Sequence, residues 1–490
     1  MSANGNNDTV PVRKIPSTGR IENLTQRFYD EFGSKPTFYV RVPGRVNLIG
    51  EHIDYCGYPV LPMALEQDIL VAASLTSDSK LYLRNINGKY NNFDVEITTF
   101  EDIDIQPDSN GKPFWYNYVL CGLKGALEHL NNDFTNGLNL LVDGNIPPAS
   151  GLSSSSALVS AACLAFLYAQ NALLNKTEIA TLCAKSERYI GTQGGGMDQA
   201  IAFLAEKYSA QYITWQPLNA TAVALPEEAS FVVAHSLAEA NKAATNDYNR
   251  RVIECRLAAK VLIKAGGGEV SQKIVTLSQA QKIVNKTLVE MIDMVNEYLP
   301  KEIYTKTEVC KKLDITENEM DTLYLTPNTR HLKEFKLKQR ALHVFGEALR
   351  VEDFRKACTQ SISNGNNGHI NGSNGVVKSE SECIDKKLST LGELMSSSHE
   401  SLKTLYECSH ENLDRLVDIS KKMNVHCRLT GAGWGGCVVA LCPKDKVDEY
   451  IEMLRDEFYV KHCEIEKTKA SAYAFATTPN YGALLLFKVF

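Results

Sequence analysis

The sequence predicts a protein of mixed helices and strands, divided into two domains. The chain has 490 residues, more than one hydrophobic core usually serves, so we expect two domains. From Phe38 to about Phe93, short runs rich in β-branched and aromatic residues alternate with Gly, Pro and Asp and predict strands. A region from about Asn241 to Ala357 is rich in Lys, Glu and Leu and predicts helices. A cleft between two such domains can bind a small ligand.

Composition and charge exclude several classes of protein. Hydrophobic residues make up 44% of the chain and charged residues 22%, as in ordinary globular proteins. The formal net charge of -6 gives no general attraction to phosphodiester backbones or anionic lipid, so we expect neither nucleic acid nor a membrane as a partner. Thirteen scattered cysteines do not suggest a disulfide framework, and the N-terminus lacks the apolar core of a signal peptide. We therefore expect a cytoplasmic protein with reduced thiols.

The elements are expected in the following order. Residues 1–20 are expected to form a flexible lead, residues 21–225 an N-terminal domain and residues 226–490 a C-terminal domain. In the first domain FYVRV, VLPMAL, ILVAASL and LYLRNI predict strands, WYNYVLCGLKGALEHLN a helix and LNLLVDG another strand. LSSSSALVSAACLAFLYAQNALL then predicts a long buried helix, because polar breaks and the preceding loop argue against a membrane span.

The second domain combines helices with a polar insertion. Residues 359–382 consist largely of Asn, Gly and Ser, which bury too little apolar surface to offset their ordering entropy, so this loop is expected to be disordered. An amphipathic stretch follows it, then the strand-like CRLTGAGWGGCVVALC and a closing GALLLFKVF.

The stretch FYVRVPGRVNLIGEHIDYCGYPVLPMALEQDILVAA places five polar residues between strands. Arg45, Asn47, Glu51, His52 and Asp54 fall within ten residues. A sheet alone has no use for these side chains at this density. They indicate a site that binds a small polar ligand.

A second stretch, DGNIPPASGLSSSSALVSAA, predicts an anion site. Two prolines end a strand, Gly151 permits a tight turn, and Ser153 to Ser156 open a helix whose first amides have no partner within it. Free amides at the positive end of a helix bind phosphate. The alternative is a serine-rich cap of a core helix, which normally needs one Ser rather than four. The segment is not the nucleotide loop GxxxxGK[ST], because no Lys follows the glycines.

Two further stretches are rich in glycine. CAKSERYIGTQGGGMDQAIAF places Asp198 at a helix start after three glycines, where a carboxylate can be a simple cap or a functional group. RLTGAGWGGC has Gly431, Gly433, Gly435 and Gly436 within six residues, which indicates a loop too close to another group for side chains. Its strand-like C-terminal flank excludes the strand-to-helix turn of a dinucleotide fold.

Together these stretches resemble the GHMP small-molecule kinases, and within them the galactokinase family. GRVNLIGEHIDY is similar to the galactokinase signature, GLSSSSA to the family's phosphate loop and LTGAGWGGC to its third motif, in the family's order from about Phe38 to Leu441. The finer details GEHIDYCGY, CAKSERYIG and VDGNIPP resemble the N-acetylgalactosamine kinase branch. The resemblance implies an α+β fold of two mixed α/β domains, of GHMP-kinase type, with the active site in the interdomain cleft. It also implies ATP and Mg²⁺, and phosphorylation of N-acetylgalactosamine, and of galactose, on the anomeric hydroxyl.

The resemblance also implies residue roles for catalysis and sugar binding. Arg45 and Asp198 match the family's catalytic arginine and aspartate, and both are expected to contact substrate. The other residues that match sugar contacts are Glu51, His52, Asp54, Gly195 and Tyr248.

For nucleotide and metal the implied residues lie in three segments. Those matching the phosphate loop are Gly151, Leu152, Ser153, Ser154, Ser155 and Ser156, and those matching the segment beside adenine are Trp115, Asn117 and Tyr118. Ser155 and Glu187 are the expected Mg²⁺ ligands. Family members commonly read E-H-E-Y-V-G where this chain reads S-E-R-Y-I-G, so Glu187 is displaced by one position.

Two alternatives remain open at the level of sequence. A plain galactokinase would differ in whether the site admits an acetamido group. A sugar and ATP sensor without catalysis would have a shortened phosphate loop, whereas GLSSSSA is intact here. We expect a monomer.

Overall fold

Strands from distant parts of the chain build the two main sheets. The computed structural model describes residues 8–131, 136–172, 174–239, 246–269, 273–359 and 380–487. Its strands are β1 (Val12–Lys14), β2 (Phe38–Asn47), β3 (Pro62–Leu75), β4 (Lys80–Asn85), β5 (Phe93–Glu96), β6 (Leu138–Gly144), β7 (Ser209–Thr214), β8 (Asn219–Ala224), β9 (Ala229–His235), β10 (Tyr304–Thr305), β11 (Glu334–Phe335), β12 (His426–Thr430), β13 (Cys437–Pro443), β14 (Ala474–Thr477) and β15 (Leu484–Phe487).

Helices pack against these sheets and fill most of the second half of the chain. They are α1 (Gly19–Phe32), α2 (Trp115–Leu130), α3 (Ser154–Ala169), α4 (Lys176–Ser186), α5 (Met197–Leu204), α6 (Asp247–Ala265), α7 (Leu277–Val284), α8 (Leu288–Tyr298), α9 (Lys306–Leu313), α10 (Glu317–Leu323), α11 (Leu337–Thr359), α12 (Glu380–Thr404), α13 (Glu411–Lys421), α14 (Val447–Leu454) and α15 (Lys467–Ala470). Each helix in the described part of the chain is too short or too polar to span a bilayer.

The larger sheet has seven strands in the order β1-β15-β2-β3-β6-β4-β5. β2 and β3 pair antiparallel, and their register shifts between Pro43 and Arg45. Such a bulge bends a strand and redirects the next side chain. The Arg45 amide donates to the carbonyl of Leu152, at 3.1 Å, at the residue where pairing with β3 resumes. The bulge thereby joins the end of β2 to the loop before α3.

α3 is the long buried helix that the sequence predicts. Its apolar residues surround the whole helix, and all of Ser156–Leu167 is buried. α2 packs closely on it, because Gly122 brings its backbone against the carbonyl of Val159 with no room for a Cβ. The order strand, loop, helix over β6, residues 145–153 and α3 is confirmed.

The smaller sheet has four strands in the order β12-β13-β9-β14. β12 and β13 form an antiparallel pair on either side of the predicted glycine-rich loop. β15, the last strand, returns to the larger sheet and lies between β1 and β2. The division into domains over 21–225 and 226–490 stays a prediction, and this strand crosses it.

The structure differs from the predicted elements at three places. Of the lead over 1–20, residues 1–7 lie outside the described residues, and 8–20 contain β1 and the start of α1 rather than a flexible segment. VLPMAL and ILVAASL form one strand, β3, since the intervening Asp68 is paired with Arg20 and Arg41, both at 2.6 Å. Within the predicted loop 359–382, Thr359 ends α11 and 380–382 belong to α12, while residues 360–379 lie outside the described residues.

Candidate active site

A cavity of about 620 Å³ lies where the two halves of the chain meet. The first half contributes the end of β2, the turn after it, and the starts of α2, α3 and α5. The second half contributes Glu239, Tyr248 of α6 and the loop after β12. The predicted residues that line the cavity are Arg45, Glu51, His52, Asp54, Trp115, Tyr118, Gly151, Ser153, Ser154, Ser155, Glu187, Gly195, Asp198 and Tyr248. The three that do not are Asn117, Leu152 and Ser156.

Arg45 and Asp198 form an ion pair in the wall of this cavity. Arg45 Nη2 lies 2.8 Å from Asp198 Oδ1, and Arg45 Nη1 donates to the carbonyl of Gly151. The guanidinium is buried, and its Nε has no partner among the described residues. A buried arginine therefore connects the predicted catalytic carboxylate to the predicted phosphate loop.

Asp198 is the second residue of α5, and a glycine-rich turn determines where this helix starts. Gly196, which precedes α5, has φ +106°, a conformation that residues with a Cβ rarely adopt. Asn249 of α6 fixes the turn further, because its side chain accepts from the amide of Gln193 and donates to the carbonyl of Gly191. The glycines thus place the Asp198 carboxylate at the cavity, beside Arg45.

The start of α3 fits an anion such as the phosphate groups of ATP. Ser153 precedes the helix with φ +64°, and its side chain does not cap the helix. Its Oγ is buried and has no partner among the described residues. Ser154 and Ser155 present further hydroxyls to the cavity. Uncapped helix amides and a buried unpartnered hydroxyl are the groups that phosphate oxygens would satisfy.

Ser156 links the two carboxylates that flank this helix start. Its Oγ lies 2.7 Å from Glu187 Oε2 and 3.2 Å from Asp198 Oδ2. Gln199 also donates to the Glu187 carboxylate. Although Ser156 does not line the cavity, it holds Glu187 and Asp198 near each other.

Glu187 and Ser155 fit the oxygen chemistry that Mg²⁺ prefers. Both line the cavity, and their donor atoms are hard oxygens. In the described ranges there is no cluster of three or more His, Cys, Asp or Glu residues able to hold a metal ion. A small protein ligand set suits Mg²⁺, which usually keeps several waters and binds substrate phosphates.

The turn after β2 carries the predicted sugar ligands, and two of them are already bound to protein. Glu51 Oε2 pairs with Arg428 Nη2 at 2.8 Å, and both side chains are buried. His52 has both ring nitrogens bonded, Nδ1 to the Tyr55 hydroxyl at 2.8 Å and Nε2 to the Ala432 carbonyl at 2.9 Å. In this structure the ring therefore joins the turn to the glycine-rich loop, and the hydrogen bond of His52 to a sugar hydroxyl stays a prediction.

Asp54, Gly195 and Tyr248 also line the cavity beside this turn. The amide of Met197 donates to Asp54 Oδ2 at 3.4 Å, and a Cβ on Gly195 would lie 2.5 Å from Asp54 Cγ. Tyr248 is buried, with its ring 5.6 Å from that of Tyr55. Burial, reinforced by Asp54 and Asp198, raises the pKa of Tyr248 well above its ordinary value, so its phenol stays neutral.

On the predicted nucleotide side, Trp115 and Tyr118 line the cavity but Asn117 does not. Trp115 Nε1 donates to the carbonyl of Asn91 at 2.9 Å. The Asn117 amide points into the protein and donates to the carbonyl of Gln106 at 2.8 Å. Trp115 and Tyr118 are three residues apart and share one face of α2, whereas Asn117 lies on another face. The predicted adenine contact of Asn117 stays a prediction.

Leu152 also has a role other than lining the cavity. Its side chain is fully buried, and its carbonyl receives the amide of Arg45. Its contribution is therefore to anchor the loop.

The glycine-rich loop after β12 packs on the predicted phosphate loop, backbone against backbone. A Cβ on Gly431 would lie within 3 Å of Gly151 atoms, and one on Gly436 would lie 2.7 Å from the carbonyl of Ser150. The prediction that this loop is too close to another group for side chains is confirmed. For Gly431 and Gly436 the neighbouring group is the loop before α3, whereas a Cβ on Gly433 would meet the carbonyl of Cys408 and one on Gly435 that of Ala238.

The sequence interpretation missed several residues of the cavity and its support. Lys89, Tyr90 and Lys112 line the nucleotide side, and no spacing pattern marked them. Tyr55 and Arg428 lie inside quoted motifs, so proximity to a motif was a usable signal. His343 and Glu347 of α11 contact the turn after β2 that carries the predicted sugar ligands, which we call the sugar turn. No local pattern in the sequence marks these two residues.

Comparison with known proteins agrees with this geometry. The sequence family described as the galactokinase galactose-binding signature matches residues 26–75, the GHMP kinase N-terminal domain matches 117–206, and the GHMP kinase C-terminal domain matches 379–460. A galactokinase of Dictyostelium discoideum is 41% identical over 95% of this chain and 94% of its own length. The chain belongs to the galactokinase family of GHMP kinases. A galactokinase of Saccharomyces cerevisiae is 30% identical over 96% of the chain and 95% of its own length.

Solved structures agree with the fold of this family. Lactococcus lactis galactokinase, crystallised with galactose, superposes with a TM-score of 0.71 at 24% identity, covering 95% of this chain and 99% of its own. Methanococcus jannaschii mevalonate kinase gives a TM-score of 0.50 at 19% identity and covers 92% of this chain and 100% of its own. At these identities the likeness shows the fold.

As a member of this family the chain is a sugar kinase that uses ATP and Mg²⁺. The predicted GHMP-kinase fold is confirmed. The finer likeness to N-acetylgalactosamine kinases stays a prediction, as do the assigned roles of the site residues and the monomeric state.

Proposed function

We propose that this chain transfers the γ-phosphoryl group of ATP to the anomeric hydroxyl of galactose, giving the sugar 1-phosphate and ADP. The observation that carries the proposal is the Arg45–Asp198 ion pair, 2.8 Å long, in the wall of a cavity that the sugar turn and the start of α3 share. The galactokinase relatives, and the galactose-binding signature over 26–75, support galactose as the acceptor.

Asp198 has the position and chemistry of a proton acceptor. Its carboxylate receives the anomeric O–H hydrogen bond and takes the proton as the sugar oxygen forms its bond to the γ-phosphorus. The bond from that phosphorus to the β-γ bridging oxygen breaks, and ADP leaves. Because such transfer has a loose transition state, the hydroxyl needs little deprotonation beforehand, so a carboxylate held by an arginine is a sufficient base.

Arg45 and the start of α3 stabilise charge on the phosphoryl oxygens. Arg45 is preorganised by Gly151 and Asp198, and the free amides after Ser153 bind phosphate without rearrangement. Glu187 and Ser155 would hold Mg²⁺, which when bound neutralises charge on the ATP phosphates.

A second acceptor, N-acetylgalactosamine, is favoured by one set of sequence details. GEHIDYCGY, CAKSERYIG and VDGNIPP carry the resemblance to kinases of the 2-acetamido sugar. The S-E-R-Y-I-G segment that contributes Glu187 to the cavity is also where the chain departs from the common galactokinase pattern. Galactose remains the primary acceptor of the proposal.

The deciding experiment is an assay of ADP release with galactose, N-acetylgalactosamine, glucose and mevalonate in parallel. Galactose turnover that disappears in Asp198→Asn is the expected result. A suitable control is Asp448→Asn, which changes an exposed aspartate that is likewise the second residue of an eight-residue helix. Turnover of N-acetylgalactosamine at a comparable rate establishes the second acceptor. Binding of sugar and ATP without turnover contradicts catalysis and indicates a sensor.

A further inference from the structure

Helix α11 binds the sugar turn through the backbone amide and the backbone carbonyl of one residue, Glu51. Glu51 donates its backbone amide to Glu347 Oε1 at 3.3 Å and receives a hydrogen bond on its carbonyl from His343 Nε2 at 3.1 Å. His343 and Glu347 are four residues apart in α11, so they lie on the same face of that helix. Neither residue lines the cavity. We call His343 and Glu347 the α11 clamp.

The Glu347 carboxylate is fully buried, and both of its oxygens accept hydrogen bonds. Oε1 also accepts from the amide of Gly50 at 2.9 Å and from Ser398 Oγ at 2.7 Å, and Oε2 accepts from Arg350 Nε at 2.7 Å. Against the cost of burial, Arg350 and then Arg428 lower the pKa of Glu347 to about 2. An ionised carboxylate that accepts two adjacent backbone amides fixes the direction of that chain segment.

His343 completes the clamp as a neutral donor. Its Nε2 faces a carbonyl and must carry the proton, so Nδ1 is the acceptor for Ser401 Oγ at 2.8 Å. Gly50 lets the turn pack closely against α11. Its φ is +101°, and Val351 of α11 is so near that a side chain at this position would have little room. The turn is thus fixed on α11 by three hydrogen bonds and one close backbone approach.

We propose that His343 and Glu347 are positioning residues for the sugar site. They set the place of Glu51 and, through the short turn, of Asp54, without contacting the substrate themselves. The inference rests on the proposed function, since it assumes that the acceptor sugar binds against the turn over 51–54. Their hydrogen bonds go to the turn and to the second half of the chain, and none goes to the starts of α2 and α3, which form the nucleotide side of the cavity.

The test compares four variants with the wild-type enzyme. His343→Leu removes the donor to the Glu51 carbonyl, whereas His343→Gln keeps an amide N–H close to the Nε2 position. Glu347→Gln keeps the shape but loses the charge. The matched control is Glu352→Gln, because Glu352 is in the same helix and also pairs with an arginine three residues on, Arg355, but does not contact the turn.

Two readouts are needed, the KM values for galactose and ATP, and hydrogen exchange of the Gly50 and Glu51 amides. His343→Leu and Glu347→Gln should raise the KM for galactose about tenfold or more, as misplacement of a binding group does, while the KM for ATP changes less than about twofold. The two amides should exchange faster in these variants. His343→Gln and Glu352→Gln should resemble the wild-type enzyme in both respects.

The outcomes separate the clamp from the proposed function. Absence of galactose turnover in the wild-type enzyme contradicts the proposed function, and amide exchange in the variants then still decides whether the clamp holds the turn. Equal increases in both KM values, or equal effects of Glu352→Gln, indicate general destabilisation and overturn the clamp. Unchanged galactose KM and unchanged exchange overturn it as well. If Glu347→Gln does not fold, the His343→Leu and His343→Gln pair decides.

Discussion

At the scale of single residues, Arg45 has two terminal nitrogens with different partners. One holds the carbonyl of Gly151 and the other the carboxylate of Asp198. The planar guanidinium allows both contacts at once, and it lies beside the start of α3 where phosphate oxygens are expected. The proposed role of Arg45 therefore depends on the planar shape of its guanidinium as well as on its charge.

Arg45→Lys should accordingly lower kcat by about 10²- to 10³-fold, comparable with the loss of a preorganised donor at an oxyanion site. An ammonium keeps the charge but cannot make both contacts in a fixed fork. Steady-state kinetics with saturating galactose and ATP measure the effect. Arg41→Lys, in the same strand and paired with Asp68 outside the cavity, is the control and should keep kcat within about twofold. Full activity of Arg45→Lys would show that charge alone suffices.

The sequence predicted that Arg45 and Asp198 belong to the site, but it did not predict the contacts of all the residues near them. Arg45 and Asp198 are far apart in the chain, and only the family resemblance linked them. His52 and Asn117 sit within the same motifs, yet their side chains bind protein groups. A motif identifies which segment approaches the ligand, whereas the direction of each side chain depends on backbone geometry, such as the φ of +63° at His52.

At the scale of elements, the loop before α3 and the loop after β12 support each other by backbone contact. Gly431 has φ +84°, and a Cβ there would meet Gly151. Because Gly151 also accepts from Arg45, any shift of this contact moves the site itself. Gly431 of the second loop thus supports the phosphate loop, which is distant in sequence.

Gly431→Ala should raise the KM for ATP and lower stability by more than the strain of a left-handed residue, which is about 1–2 kcal/mol. The control separates strain from collision: Gly267 has nearly the same φ, +79°, and open space around it. Gly267→Ala should show the strain alone and an unchanged KM. Chemical denaturation and ATP kinetics of both variants supply the comparison. Equal behaviour would mean that the contact with Gly151 is not needed.

The buried His343 of α11 makes stability depend on pH. Burial, aided by Arg350 and Arg428 and opposed by Glu347, lowers the pKa of His343 to about 4. Its ordinary value is near 6.5, so between these values the unfolded chain binds a proton that the folded protein does not. Stability from this group is therefore complete above about pH 6.5 and falls as the pH decreases toward 4.

His343→Gln, which cannot titrate, should remove about 2 kcal/mol of the stability that the wild-type protein loses between pH 7 and pH 5. Urea unfolding at several pH values measures this. His331→Gln, at an exposed histidine, is the control and should leave the wild-type slope unchanged. A slope that persists in His343→Gln would assign the acid sensitivity to other groups.

The same elements show where local patterns fail to predict structure. Period and composition identified α2, α3, β6 and the β12–β13 hairpin, since each is largely determined by its own residues. The division of β3 at Asp68 was predicted because an aspartate usually interrupts a strand. Arg20 and Arg41 neutralise it in the fold, and no local window contains that partnership.

At the scale of the whole molecule, the first and the last strand of the chain are neighbours in the larger sheet. β15 lies between β1 and β2, so the larger sheet contains strands from both ends of the chain, and the smaller sheet and all the described helices lie between them in sequence. A boundary at residue 225 follows the motifs along the chain, but this topology links both ends of the sequence in one sheet. Strand pairing between residues more than 400 apart leaves no trace in local composition, which is why the sequence did not predict it.

A chain that ends at Ala483 should therefore lose stability throughout, including the active site. It lacks Leu484, Leu485 and Leu486, which are at most 8% exposed, and burial of three such side chains contributes roughly 5 kcal/mol. That is comparable with the total stability of a typical domain. β2, whose far end carries Arg45, would become an unpaired edge. This shortened chain should unfold, and lose its galactose turnover, at a temperature well below the unfolding temperature of the full chain.

The control is a chain that ends at Phe487, which keeps β15 intact and removes only the last three residues. It should unfold at the temperature of the full chain, in the same number of transitions. If the chain ending at Ala483 also unfolded there and kept its turnover, β15 would be an accessory strand. If only one of two separate transitions shifted, the larger sheet would be an independent folding unit. A single transition that moves to lower temperature together with loss of activity would show that β15 joins the two halves into one cooperative structure.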